Sequence, residues 1–180
     1  MLQITIPSAE LWDYKKNEFH YTKEYVLNLE HSLVSIAKWE SKWQKPFLSK
    51  SNKTIEETRD YVRCMTLTQN IPDDAYMYLT SENIQQVNDY IDEPMTATWF
   101  SNNNHTKNSN EQVTSELIYY WMIAFNVPFE CQKWHFNRLL ALIRVCEIKS
   151  SPPKKQKTSE ILSRNAALNA ARRRQLNTKG

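Results

Sequence analysis

The stretch Gln112-Val-Thr-Ser-Glu-Leu-Ile-Tyr-Tyr-Trp-Met-Ile-Ala-Phe-Asn126, followed by Val127-Pro128, decides the fold. From Leu117 to Phe125 nine residues run without a charge. That is far short of the roughly 20 apolar residues a membrane-spanning helix needs. A helix apolar around most of its circumference therefore predicts burial on most faces inside a core. Pro128 suits the first position of a second helix, expected to run to about Lys149, on which Phe136, Leu139, Leu140, Ile143 and Cys146 form one stripe. These two helices are the expected centre of the core.

Upstream of them the punctuation is helical. Ser32 is a plausible N-cap for a helix carrying Leu33, Ile36, Ala37, Trp39 and Trp43, which Pro46 ends. Thr54-Ile-Glu-Glu57 has the form of a capping box, with Ile55, Thr58, Tyr61, Val62 and Met65 as the apolar face of the helix that follows. Pro72-Asp-Asp begins a short helix through Leu79, and Thr80-Ser-Glu-Asn leads another in which Ile84, Val87 and Ile91 recur at helical spacing before Pro94. The N-terminus differs. Leu2, Ile4 and Ile6 alternate with polar residues until Pro7, and Tyr25, Leu27 and Leu29 alternate within Thr22–Glu30, so two strands are expected to pair across a connection from Ser8 to Tyr21. Met95–Phe100 reads as a third short strand or an extended segment over the core, and Ser101–Asn110 as a solvated loop. The fold class is α+β, predominantly α-helical, with a small N-terminal antiparallel strand pair packed on a helical core.

The 180 residues suffice for one domain and an appendage, and 41% hydrophobic with 24% charged residues fits a folded chain. The only glycine is Gly180, against about 7% in ordinary proteins. Dinucleotide-binding G-x-G-x-x-G, the P-loop and the G-x-S-x-G elbow are all excluded, because each needs glycine where backbone meets phosphate or turns sharply. Tight primed hairpins also favour glycine, so a sandwich or barrel is not expected. Met1–Pro7 has neither a basic n-region nor an apolar h-region, and Cys64, Cys131 and Cys146 contain no C-x-x-C. An intracellular chain with reduced thiols and no membrane span is the expectation.

Charge is distributed unevenly. Residues 149–180 hold nine of the 23 Lys and Arg but one of the 20 acids, a balance of +8 that leaves −5 for residues 1–148. Ser150-Ser-Pro-Pro-Lys-Lys-Gln-Lys157 reads as a linker. The organisation is thus a body over 1–149, a linker over 150–157, and a tethered basic helix over 158–180, with Glu160 in its first turn and Arg172–Arg174 in its last. Lys154, Lys155, Lys157, Arg164, Arg172, Arg173 and Arg174 are candidate contacts for phosphate or for an acidic protein partner, and simple solubility is an equal reading of the same charge.

Catalytic candidates are few. Cys131-Gln-Lys-Trp-His135 places thiol and imidazole one helical turn apart, a spacing compatible with two zinc ligands or a Cys–His nucleophile pair, or with a packed thiol and a hydrogen-bonded imidazole. The packed arrangement is favoured, since further metal ligands are sparse. Arg138 and Arg144, on the apolar second helix, are expected to pair with Glu116, Glu130 or Glu147. The six tryptophans invite a stacking platform for single-stranded nucleic acid, but their acidic neighbourhood makes core packing the better reading. No catalytic residue, metal or cofactor is expected.

Leu27-Asn-Leu-Glu-His-Ser-Leu-Val-Ser-Ile-Ala-Lys-Trp-Glu40 with Lys45-Pro-Phe47, then Tyr61-Val-Arg-Cys-Met-Thr66, Met95-Thr-Ala-Thr-Trp-Phe100, Glu116-Leu-Ile-Tyr-Tyr-Trp-Met122 and Trp134-His-Phe-Asn-Arg-Leu-Leu140 together resemble the tail assembly chaperones of long, non-contractile-tailed bacteriophages. Ser163–Arg174 is similar to that family's basic, Ala-rich end. The resemblance implies a non-enzymatic helper in the host cell cytoplasm that binds the tape measure protein, assists polymerisation of tail tube protein, and is absent from the mature virion. Trp39, Trp43, Tyr120 and Trp121, in a groove between the Leu33–Trp43 and Leu117–Phe125 helices, are the expected partner surface, and a homo-oligomer is possible. The alternative is a minor virion structural or nucleic-acid-binding protein that uses the basic tail, and an enzyme ranks third.

Overall fold

The computed structural model describes residues 1–8, 10–13, 17–49, 51–100, 112–151 and 158–177. The linker lysines Lys154, Lys155 and Lys157 and the Ser101–Asn110 segment lie outside them. The chain divides into two compact units, Met1–Glu147 and Ile148–Gly180.

In the first unit the expected strand pair is present: β1 (Leu2–Ile6) runs antiparallel to β4 (Tyr25–Leu29), with Ile4 opposite Leu27 and Leu2 opposite Leu29. Period-two alternation puts Ile4, Ile6, Leu27 and Leu29 on one face, and all four are buried. Both edges of the pair are occupied. The chain after α2 (Ile55–Met65) follows β4, with Leu67 N–H donating to the Asn28 carbonyl at 2.8 Å and Glu30 N–H to the Met65 carbonyl at 3.0 Å. On the β1 side the Asn83 amide, from α3 (Ser81–Asp92), donates to the Thr5 carbonyl at 3.2 Å.

The connection read as Ser8–Tyr21 contains a second antiparallel pair, β2 (Glu10–Asp13) and β3 (Glu18–Tyr21). Asn17 takes φ 57° at the start of the return, the left-handed region expected of glycine. The same device recurs: the described positive-φ residues are Asn17, Gln44, Asn70, Met95, Asn126 and Asn177. Asparagine tolerates this region best after glycine, and so replaces it in four of the six positions. That is why the lack of glycine did not prevent a hairpin.

Three helices start on capping boxes. Ser32 and Ser35 cap α1 (Leu33–Trp43) reciprocally, Thr54 and Glu57 cap α2, and Thr80 and Asn83 cap α3. Their buried sides carry Leu33, Ile36 and Trp39, then Tyr61, Val62 and Met65, then Val87 and Tyr90. Ile55, expected on the α2 core face, is exposed, because it opens the first turn. A 3₁₀ helix over Asp73–Tyr78 joins α2 to α3. Met95–Phe100 forms no strand, and Trp99 is 95% exposed.

The helix expected from Pro128 to Lys149 is broken. A 3₁₀ helix covers Phe129–Lys133, Trp134 is extended at φ −70°, ψ 163°, and the helix restarts after α4 (Ser115–Ala124) as α5 (Phe136–Ser150). The cause is tertiary: Phe136 donates its N–H to the His31 carbonyl at 2.7 Å instead of to the preceding helical turn. Phe136, Leu139 and Ile143 of α5 then complete the core with Ile118 and Met122 of α4. In the second unit, α6 (Thr158–Leu176) exposes every described side chain.

Candidate functional site

Two arrangements stand out on the first unit, one polar and buried and one apolar and exposed. One is a buried seam where α1, α2, α4 and α5 meet. His31, 2% exposed, sets Nδ1 at 2.5 Å from the Tyr61 hydroxyl, and its ring stands edge-on to His135, 5.2 Å between centroids. Burial, reinforced by the neighbouring His135, lowers His31 to about 3 from its ordinary 6.5. The His31 imidazole is therefore neutral, and one hydrogen bond joins its Nδ1 to the Tyr61 hydroxyl. Burial pushes the Tyr61 phenol up, so it does not ionise near neutrality.

His135 is committed to the backbone on both sides. Its Nδ1 accepts from Asn137 N–H at 3.3 Å, which leaves the proton on Nε2 to donate to the Tyr90 carbonyl at 3.0 Å. No free ring nitrogen remains for a metal or a nucleophile. Cys131 lies in the 3₁₀ turn beyond the break at Trp134, so the two are not on one helix, and burial raises its thiol above the ordinary value. Among the described residues, no group of three His, Cys, Asp or Glu side chains is placed to hold a metal ion.

Glu40 completes the seam, and nothing in Trp39-Glu-Ser-Lys-Trp43 marks it. Its Oε1 accepts from Phe47 N–H at 2.7 Å and its Oε2 from Ser115 N–H at 2.8 Å. Thr114, the N-cap of α4, makes no side-chain cap of its own, so a buried carboxylate from α1 caps that helix, where the dipole favours an anion. This bond also corrects the expected groove. The α1 and α4 helices pack directly on each other, and Trp39, 1% exposed, is core, with its indole N–H donated to the Glu57 carbonyl at 2.9 Å. Trp43 is half-buried and donates to Asp60 Oδ2 at 2.8 Å. Trp39 is therefore core, whereas Trp43 keeps part of its surface exposed.

The other arrangement is the outer face of α4. Only Ser115, Ile118 and Met122 of that helix are buried; the expected burial on most faces does not occur. Tyr120 is 62% exposed, Ile123 61%, and Phe129 on the following 3₁₀ turn 52%. Tyr119, its hydroxyl donated to Gln132 Oε1 at 2.8 Å, sets its ring 6.5 Å from that of Phe129 and links the two elements. Trp121 is half-buried. Of the candidate partner residues on the body, Tyr120 is therefore freely presented, whereas Ile123 and Phe129 were missed, because periodicity cannot say which side of an all-apolar helix faces out.

No protein family, characterised protein or solved structure matches the chain. Geometry therefore carries the rest.

Arg138 and Arg144 each find an aromatic ring: Arg138 lies 4.2 Å over Trp134 and Arg144 4.4 Å over Phe100. A cleft of about 500 Å³ is lined by Lys42, Glu56, Arg59, Asp60, Arg63 and Asp73 with Tyr76 and Met77. Its acids and bases neutralise one another: Asp60 takes Lys42 at 2.5 Å and Arg63 at 3.2 Å, and Arg63 reaches Asp73 at 3.0 Å. Burial would raise the Asp60 carboxyl, but Lys42 and the Trp43 N–H outweigh it and hold it below the ordinary value. On the second unit Arg164, Arg172, Arg173 and Arg174 are all exposed on α6. Among the described residues, no helix is long and apolar enough to cross a membrane.

Proposed function

We propose that this chain is a non-catalytic tail assembly chaperone of a long-tailed bacteriophage, acting in the host cytoplasm by holding the tape measure protein while tail tube protein assembles around it. The observation that carries the reading is the outer face of α4, where Tyr120 and Ile123, with Phe129 beside them, lie bare on a helix otherwise made for burial. A long amphipathic partner helix presents anchors at i, i+3, i+4 and i+7 and fits such a face. The resemblance of the 27–47, 61–66, 95–100, 116–122 and 134–140 stretches to that chaperone family points to the same partner.

The energetics suit a transient hold. Three large side chains, each more than half exposed, offer roughly 100 Å² apiece. At about 25 cal/mol per Å² this gives roughly 7 kcal/mol of gross burial energy. Association itself costs about 4–15 kcal/mol, so these three side chains are anchors within a longer contact and leave it readily reversible.

The test is a tagged pull-down from infected cells, nuclease-treated and washed at moderate salt, with mass spectrometry of the bound proteins and of purified particles. Recovery of a very long helical phage protein is expected, with the bait missing from particles and capture reduced at least about tenfold by Tyr120→Ser/Ile123→Ser. Bait in the virion, or no phage protein captured, overturns the reading.

A further inference from the structure

The second unit carries an activity independent of the α4 face. We propose that α6 binds the phosphate backbone of nucleic acid without regard to sequence.

The argument starts from what α6 lacks. It runs 19 residues with every described side chain exposed. Its large exposed apolar residues are Leu162, Leu168 and Leu176. At about 100° per residue these three share about 120° of arc, but they stand six and eight residues apart with Arg172 among them, so they form no continuous stripe with an anchor on each turn. A helix that docks in a protein groove needs such a stripe, because apolar anchors supply its affinity.

What α6 offers instead is charge. Arg172, Arg173 and Arg174 are consecutive, so they surround the helix end, with Arg164 two turns earlier. Among the described residues no carboxylate lies in ion-pair range of Arg172–Arg174. Glu160 is the one acid of residues 149–180, against nine bases. Three adjacent guanidinium groups repel one another, and a polyanion relieves that repulsion while releasing its own condensed counterions.

Cations distributed around a helix meet phosphates from any side but cannot align with the base edges of one groove, which makes the contact sequence-independent. Charge density separates duplex nucleic acid from an acidic polypeptide. Duplex DNA carries one charge per about 1.7 Å of axis, whereas extended polyglutamate carries one per about 3.4 Å.

The test uses the full chain and fluorescence anisotropy with a fluorescein-labelled 30-base-pair duplex, titrated from 50 to 300 mM salt. Log affinity should fall linearly with log salt. Arg172→Gln/Arg173→Gln/Arg174→Gln should weaken binding at least about tenfold and make the slope shallower by roughly 2–3. The triple Lys variant should keep both within about twofold, since neutralisation needs charge and not a guanidinium fork. Circular dichroism confirms that each variant keeps its helix. Duplexes of unrelated sequence should bind equally, and polyglutamate should compete poorly at equal charge concentration. Absence of binding at 50 mM salt, an unchanged slope in the Gln variant, marked sequence preference, or equal competition by polyglutamate each overturns the proposal.

Discussion

Between pH 7.5 and pH 5 the unfolded chain takes up a proton at residue 31 that the native chain refuses. His31 is walled in by Phe47, Tyr61, His135 and Phe136, and its native value of about 3 lies well below the unfolded 6.5. Below 6.5 the unfolded state binds more protons than the native one, so stability rises with pH across the window and is lost on acidification. At pH 5 the unfolded imidazole is almost fully charged and the native one almost wholly neutral. Each unit of separation is worth about 1.4 kcal/mol, so the loss relative to pH 7.5 is about 2 kcal/mol from this one group. Urea melts followed by tryptophan fluorescence at pH 7.5, 6.5, 5.5 and 5.0 measure it. His31→Gln should start from a lower plateau, because packing is lost, yet decline by about 2 kcal/mol less over the same range. Equal declines in both proteins, or a titration of the native His31 resonance near 6.5, would refute the reasoning.

Glu40→Ala removes two charge-assisted hydrogen bonds to buried N–H groups and should cost about 3 kcal/mol in a denaturant melt, with Glu40→Gln costing less because one acceptor survives; a loss below 1 kcal/mol would remove its capping role. Leu139 is wholly buried, and Leu139→Ala should cost about 2–5 kcal/mol by the same assay. Gln44 closes α1 at φ 52°, ψ 37°, so Gln44→Gly should raise stability by roughly 0.5–1 kcal/mol; a fall would show that its side chain contributes more than its backbone costs.

Legibility in the sequence followed the range of the interactions. Ser32, Thr54 and Thr80 were readable as helix starts because a cap satisfies donors two or three residues away. The β1–β4 pair was readable from alternation at both ends. The hairpin over Glu10–Tyr21 was not, since its turn uses Asn17 where a glycine signal was sought. The break at Trp134 was hidden for another reason: the apolar stripe begins just beyond it at Phe136, and only the His31 carbonyl diverts the Phe136 N–H. In the candidate site, Tyr120 and the exposed arginines were legible, Trp39 was misplaced on a surface, and Ile123 and Phe129 were passed over.

By itself the sequence determined where α1, α2 and α3 begin, that glycine-dependent phosphate chemistry is excluded, and that a basic helix follows a mildly acidic body. These properties depend on neighbours within a turn or on composition. Only the tertiary structure decided which side of α4 is buried and which is bare, and made Glu40 the cap of a helix 75 residues further on. The physical reason is that an all-apolar helix has no intrinsic inside, and a buried carboxylate is stable wherever two N–H donors converge. Packing against α1 supplies both answers at once: Ile118 and Met122 turn inward, Ser115 meets Glu40, and Tyr120 and Ile123 are left facing out.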